Sequence, residues 1–266
     1  MFDKTSASRK GVLRAENYLS TSYEPEEPVG RETEINAIAD AVRPLTHRFE
    51  GDNLLIYGPA GVGKTTCVKH VTEKLESQAS IKSVYINCWQ YNTRSSLLTE
   101  LLIQLGYPAP RKGKPVDALL GKIREWLDKN RGVAVALDEF DQLDSQTEII
   151  YDLQMVNEEA ENPLGPLMVS NQHPTRISLD PRSQSRLNCN MLEFQAYNAA
   201  ALEEILQDRV DKAFRPGTVP IEVIGEIAET VAENTGDCRK ALSKLLNAGR
   251  KADQEGTNKV TIEDIP

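Results

Sequence analysis

Between the apolar run Asn53-Leu-Leu-Ile-Tyr57 and the run Thr66-Cys-Val-Lys-His-Val71, the chain carries Gly58-Pro-Ala-Gly-Val-Gly-Lys64-Thr65. This is G-x-x-x-x-G-K-[ST] in a strand–loop–helix setting, the context in which the motif builds a phosphate cradle. Glycines let the backbone curl so that several N–H groups face one phosphate, and the N-terminus of the following helix adds its positive dipole. The spacing places Lys64 against the β- and γ-phosphates of a nucleotide and the Thr65 hydroxyl on Mg²⁺. Pro59, Ala60, Gly61, Val62, Gly63 and Thr66 complete the expected nucleotide contacts. A chain organised around such a loop needs a parallel sheet to carry it.

The 266 residues suffice for one large α/β domain and a smaller one. A net charge of −9 argues against a surface that binds polyanions wholesale. The charge is uneven, however. Residues 94–131 hold eight Lys/Arg against four Asp/Glu, a local +4. That stretch is either a solvated helix face or a contact for nucleic acid. The four cysteines, Cys67, Cys88, Cys189 and Cys238, form no C-x-x-C pair. This spacing argues against a zinc site or disulfide framework and suits a reducing cytoplasm, where the chain is expected to reside. No run approaches 18 consecutive apolar residues and the N-terminus lacks a signal-peptide core, so no membrane partner is expected.

Periodicity predicts a helix over about Glu32–Val42, with Ile35, Ile38, Ala39 and Val42 at helical spacing and Pro44 limiting it. Strands are predicted at Ser83–Asn87, Val133–Leu137, Pro166–Asn171 and Met191–Phe194. Helices are expected between them at Ser95–Leu105, Val116–Lys129 and Gln146–Glu158. Strands alternating with helices predict a doubly wound α/β sheet. Beyond Tyr197 only helical patterns follow, at Ala199–Phe214, Ile221–Asn234 and Asp237–Asp253. The domain reading is a loosely ordered arm at 1–22, a nucleotide-binding α/β domain at 23–196 and a small all-helical lid at 197–266. At the end, Thr261 stands three residues before Asp264, a pattern that opens helices. The chain therefore reads as stopping where a further element begins.

Asp138-Glu139 follow the apolar strand Val133–Leu137, and strand ends of a doubly wound sheet converge beside the nucleotide. Asp138 is expected to hold Mg²⁺, and Glu139 to act as general base on an attacking water. Asn171 ends another central strand. Its amide suits a γ-phosphate or the attacking water, although a turn former at a strand end looks the same. Arg239 falls in the first turn of the last helix, after the candidate N-cap Asp237. A cation there opposes the helix dipole, so a role towards phosphate is expected. Arg182 and Arg186, in Pro181-Arg-Ser-Gln-Ser-Arg-Leu187, are either solvated loop residues or an arginine finger for a neighbouring subunit.

These residues, in this order, resemble the AAA+ ATPases. Val12-Leu13 and Tyr23-Glu-Pro-Glu-Glu-Pro-Val-Gly-Arg31-Glu32 resemble the amino-terminal signature of archaeal origin-recognition and cell-division-control replication initiators. Gly58–Thr65 corresponds to Walker A, Asp138-Glu139 to Walker B, Asn171 to sensor one, and Arg239 in Gly236-Asp-Cys-Arg-Lys-Ala-Leu242 to sensor two. The resemblance implies a P-loop AAA+ fold with a helical lid, and it places Val29, Gly30 and Arg31 near the adenine. It makes residues 94–131 the helical insertion of initiators, which in that family touches DNA. It further implies ATP or ADP with Mg²⁺, slow switch-like hydrolysis, origin DNA, other initiator subunits or a replicative helicase as partners. Family members normally continue into a winged-helix domain, which this chain lacks; DNA binding is accordingly expected to be weak. A clamp-loader-like adapter, with Arg186 of Ser-Arg-Leu as its arginine motif, is the alternative.

Overall fold

The computed structural model describes residues 11–108, 110, 113–177 and 189–266. Contacts divide the chain into an α/β unit, Arg31–Pro59 with Gly63–Phe194, and a helical unit, Met1–Gly30 with Ala60–Val62 and Gln195–Pro266.

In the α/β unit, five strands form one parallel sheet in the order β2-β3-β4-β1-β5. They are β1 (Leu54–Tyr57), β2 (Lys82–Asn87), β3 (Val133–Asp138), β4 (Leu164–Ser170) and β5 (Asn190–Glu193). Every residue of β3 and β4 is buried, as expected for inner strands covered on both faces. Edge strand β2 alternates between buried and half-buried positions. The helices of this unit are α1 (Glu32–Val42), α2 (Lys64–Ala79), α3 (Arg94–Gln104), α4 (Val116–Leu127) and α5 (Gln146–Glu159). β4 starts two residues earlier than the sequence reading, which took Pro166 as its first residue. A proline mid-strand forfeits only its own N–H, and Leu164 and Gly165 still pair with Val133 and Ala134.

The insertion between β2 and β3 is a helical hairpin. Thr93 and Ser96 form a capping box that starts α3. Leu97, Leu98, Leu101 and Leu102 of α3 then join Leu119, Leu120, Ile123 and Leu127 of α4 in one buried cluster with the sheet. Arg94 fastens the hairpin to α5. Its Nε and Nη2 donate to the two carboxylate oxygens of Asp152 at 2.7 and 2.6 Å. The Asp152 side chain is only 1% exposed.

The helical unit holds α6 (Ala199–Ala213), α7 (Ile221–Asn234) and α8 (Cys238–Glu255). Asn198 and Asp237 cap the first and last of these through their side chains. Thr261 and Asp264 form a capping box on a short 3-10 turn. Within the expected loose arm, residues 11–22 are instead tied into this unit. Leu13 bridges Phe214, the Arg215 guanidinium donates to the Gly11 carbonyl, and Arg250 pairs with Glu16. Val12 and Leu19 are buried there, an apolar anchoring that the polar composition of the segment concealed. Tyr23 is a packing residue too, its ring lying 4.5 Å from the buried Arg209 guanidinium. Among the described residues, no helix is long and apolar enough to cross a membrane.

Removing Arg94 strands a buried carboxylate, whereas exposed ion pairs contribute little. Arg94→Ala is expected to destabilise the protein by about 2 kcal/mol in urea unfolding, discounted for the partial exposure of the arginine. Adding Asp152→Leu should recover most of that loss, because the stranded charge then disappears.

Candidate functional site: a phosphate loop and the carboxyl ends of β3 and β4

The loop after β1 has the backbone that its glycines permit. Gly58 has φ +146°, and a Cβ there would stand 2.2 Å from the Phe194 carbonyl oxygen beyond β5. Gly63, at φ +89°, occupies the N-cap position of α2 and turns the loop into the helix. Lys64, 5% exposed, points back across the loop. Its ammonium donates to the carbonyls of Gly58 and Pro59 at 2.7 and 2.6 Å and to Asn171 Oδ1 at 3.0 Å. Lys64 and Asn171, 107 residues apart, thus meet at the loop. Val62 is buried and Thr66 half-buried.

The loop tip, Ala60–Val62, clusters with the helical unit. There the Cys238 N–H donates to the Gly61 carbonyl at 3.1 Å. Arg239, one residue on, has its N–H on Asp237 Oδ1 at 2.8 Å and its side chain exposed.

At the end of β3, Asp138 is 6% exposed and accepts three hydrogen bonds. Thr65 Oγ1 reaches Asp138 Oδ2 at 2.9 Å, the Tyr85 hydroxyl reaches the same oxygen at 2.6 Å, and the Glu139 N–H reaches Oδ1 at 3.0 Å. The sequence-predicted pair Thr65 and Asp138 is therefore assembled. Two hard oxygen donors beside a phosphate loop fit Mg²⁺, which takes one or two protein oxygens and retains waters. Among the described residues, no cluster of three or more His, Cys, Asp and Glu could hold a metal ion. Glu139 is one of three non-glycine residues with positive φ among the described residues, at φ +55°. Backbone strain of this kind concentrates at functional positions.

β4 ends in a second carboxylate-centred arrangement. Asp141 Oδ1 accepts from Ser170 Oγ at 2.9 Å and from the Asn171 N–H at 3.0 Å. Asp141 thereby fixes the turn that presents Asn171 to Lys64. Sequence reasoning missed both Tyr85 and Asp141. Asp141 carried a signal in its spacing, three residues after Asp138. Tyr85 needed the strand register, in which Asn87 stands opposite Asp138 and Tyr85 opposite Ala136. Residues two apart on a strand share a face, which brings the phenol up to the carboxylate. Burial first, and then the bond to Asp138, push the Tyr85 phenol above its usual range, so it acts as a protonated donor.

The expected adenine-side residues divide between the two units. Arg31 is buried in the α/β unit, paired with Glu34 at 2.5 Å and lying 5.1 Å from the Phe194 ring. Val29 and Gly30 belong to the helical unit and are half-buried, Gly30 at φ +69°. Arg182 and Arg186 lie outside the described residues.

On the insertion, Tyr107 and Trp126 meet edge to face at 5.6 Å between centroids. Lys114 sits 4.4 Å from the Tyr107 centroid and Lys129 3.6 Å from that of Trp126. Two lysines of the basic stretch are therefore set against aromatic rings, whereas Arg94, Lys122 and Arg124 pair with Asp152, Glu125 and Glu159.

Asp141→Ala should leave ATP affinity within about twofold while lowering the hydrolysis rate on the order of tenfold, since it frees Asn171, the residue expected from the sequence to meet the γ-phosphate or the attacking water. Filter binding and phosphate release on the same preparation separate the two effects.

Residues 47–173 match the AAA domain family, and residues 203–266 match the Cdc6 AAA+ ATPase-type lid domain. An ORC1-type DNA replication protein of Pyrococcus abyssi is 32% identical over 100% of this chain and 66% of its own length. The ORC1-type DNA replication protein 1 of Sulfurisphaera tokodaii is 34% identical over 98% of this chain and 67% of its own. The structure of the Aeropyrum pernix ORC1 protein in complex with DNA superposes with a TM-score of 0.84 at 27% identity, over 95% of this chain and 68% of that one. The chain thus spans about two thirds of the length of these relatives. Phosphate loop, acidic strand end and Cdc6-type lid agree with sequence identity along the chain to the initiator branch, not the clamp-loader alternative: the chain belongs to the family of ORC1-type DNA replication proteins, which are AAA+ P-loop ATPases.

Proposed function

We propose that this chain is the ATP-binding and slowly hydrolysing module of a DNA replication initiator, in which nucleotide state controls assembly on origin DNA. The observation that supports it most is the contact of Lys64 with Asn171 beside the bonded pair Thr65 and Asp138. Membership of the family supports reading these four residues as part of a γ-phosphate site. In this reading Lys64 turns from its own loop's carbonyls to the β- and γ-phosphates, and the loop N–H groups and α2 dipole hold the remaining negative charge. Mg²⁺, when bound at Thr65 and Asp138, neutralises charge on the phosphates. Glu139 takes the proton from the attacking water, and Asn171 aligns that water or the phosphate without adding charge. Arg239 is the lid's contribution towards the phosphates, with Val29, Gly30 and Arg31 serving the adenine. Arg186 is kept as the finger towards a neighbouring subunit. Turnover is expected to be well below the enzyme median of about 10 s⁻¹, because a switch must persist in one state.

DNA is the proposed partner of the insertion, together with other initiator subunits or the helicase. The chain's similarity to a protein solved with DNA supports this, as do the lysines set against Tyr107 and Trp126. Such a surface combines phosphate contact with an aromatic platform.

Lys64→Ala should abolish detectable ATP binding, and retained micromolar affinity would remove the loop from its role. Glu139→Gln should keep ATP binding and lower hydrolysis on the order of a hundredfold. With Lys114→Glu and Lys129→Glu together, DNA affinity should fall about tenfold near 0.1 M salt, with a log–log salt slope shallower by about two. An unchanged slope would place the DNA contact elsewhere.

A further inference from the structure

Tyr85 stands on β2, half-buried, with the Lys69 ammonium 4.9 Å from its ring centroid. Its hydroxyl donates to Asp138 Oδ2 at 2.6 Å, the oxygen that also accepts from Thr65 Oγ1 at 2.9 Å. The other carboxylate oxygen is occupied by the Glu139 N–H at 3.0 Å. Three donors from β2, α2 and the strand end therefore fix the carboxylate plane. A threonine hydroxyl has one proton and two lone pairs. As long as its proton goes to Asp138, its lone pairs face away from the carboxylate and remain available to a cation. If the carboxylate rotated, the hydroxyl would follow it or turn its proton to another acceptor.

We infer that Tyr85 is a positioning residue for divalent-cation binding: its hydroxyl holds Asp138 Oδ2 where it takes the Thr65 proton and so aims the Thr65 lone pair at the metal. This rests on reading Thr65 and Asp138 as the Mg²⁺ pair. Partners that orient metal-binding groups typically affect metal affinity 10- to 100-fold, about as strongly as some ligands do. A tyrosine that merely satisfied its hydroxyl on the nearest acceptor would affect stability alone, or nucleotide affinity with and without metal alike. A positioning tyrosine affects only the part of nucleotide affinity that depends on the metal.

The test is Tyr85→Phe, which keeps the ring, its place in the sheet and the Lys69 contact. Affinity for a fluorescent ADP analogue is measured in EDTA and in saturating Mg²⁺, and thermal melting is followed in parallel. The expected result is an unchanged affinity in EDTA, a melt lowered by a few degrees for the lost bond to the buried carboxylate, and a loss of about tenfold in the tightening caused by Mg²⁺. Full retention of that tightening, or an equal loss in both conditions, overturns the proposal. Should the variant misfold, the wild-type fold supplies a second readout. With 3-fluorotyrosine incorporated in place of tyrosine, the ¹⁹F resonance of residue 85 is expected to shift when Mg²⁺ is added to the ADP-bound protein, and an unmoved resonance overturns the inference. A wild-type protein whose nucleotide affinity ignores Mg²⁺ removes the metal role of Thr65 and Asp138, and this proposal with it.

Discussion

A carboxylate held at the end of a strand with no exposed residue is the constraint on which the site depends. Asp138 closes β3, where flanking strands and covering helices exclude water from all six residues. An ionised group in such surroundings is costly unless it is fully hydrogen-bonded. Three donors meet that requirement, and each comes from a different part of the chain: α2 through Thr65, β2 through Tyr85 and the chain's own next peptide. Satisfying the carboxylate therefore brings the phosphate loop, the sheet edge and the start of the acidic turn into register. The same group that would bind a cation also ties together the elements around it.

One strand over, Asp141 plays the corresponding part for β4. It collects the Ser170 hydroxyl and the Asn171 N–H, and Asn171 in turn meets Lys64. The two carboxylates lie three residues apart in sequence but orient different strand ends. Polar side chains inside this unit are thus arranged around acceptors that are themselves immobilised, as a reacting centre requires if it is not to reorganise during each cycle.

Much of this was legible beforehand, for identifiable reasons. Walker-type spacing is local, so Lys64, Thr65 and Asp138 could be assigned without knowing how the strands pair. A helix start was legible where a capping side chain stood next to apolar periodicity, as at Asp237. What escaped was non-local or atypical. Tyr85 depends on the pairing of β2 with β3, which no single segment encodes. Residues 11–22 look polar, yet Val12, Leu13 and Leu19 anchor them to helices some two hundred positions later. The strand was read from Pro166, but pairs in the parallel ladder carry it two residues further back, to Leu164.

The left-handed residue Glu139 links the interior to the carboxyl end of β3. Its φ of +55° reverses the chain at once, so that Phe140 dives into the core with no exposed surface and Asp141 arrives beside β4. A turn this tight has almost no slack. The placement of the Glu139 backbone is then tied to how deeply the ring of the next residue, Phe140, is seated. With Glu139 as the general base proposed above, core volume at Phe140 becomes a tuning parameter for timing: a repacked interior would retime the hydrolytic step while leaving the nucleotide's grip on the loop as it was.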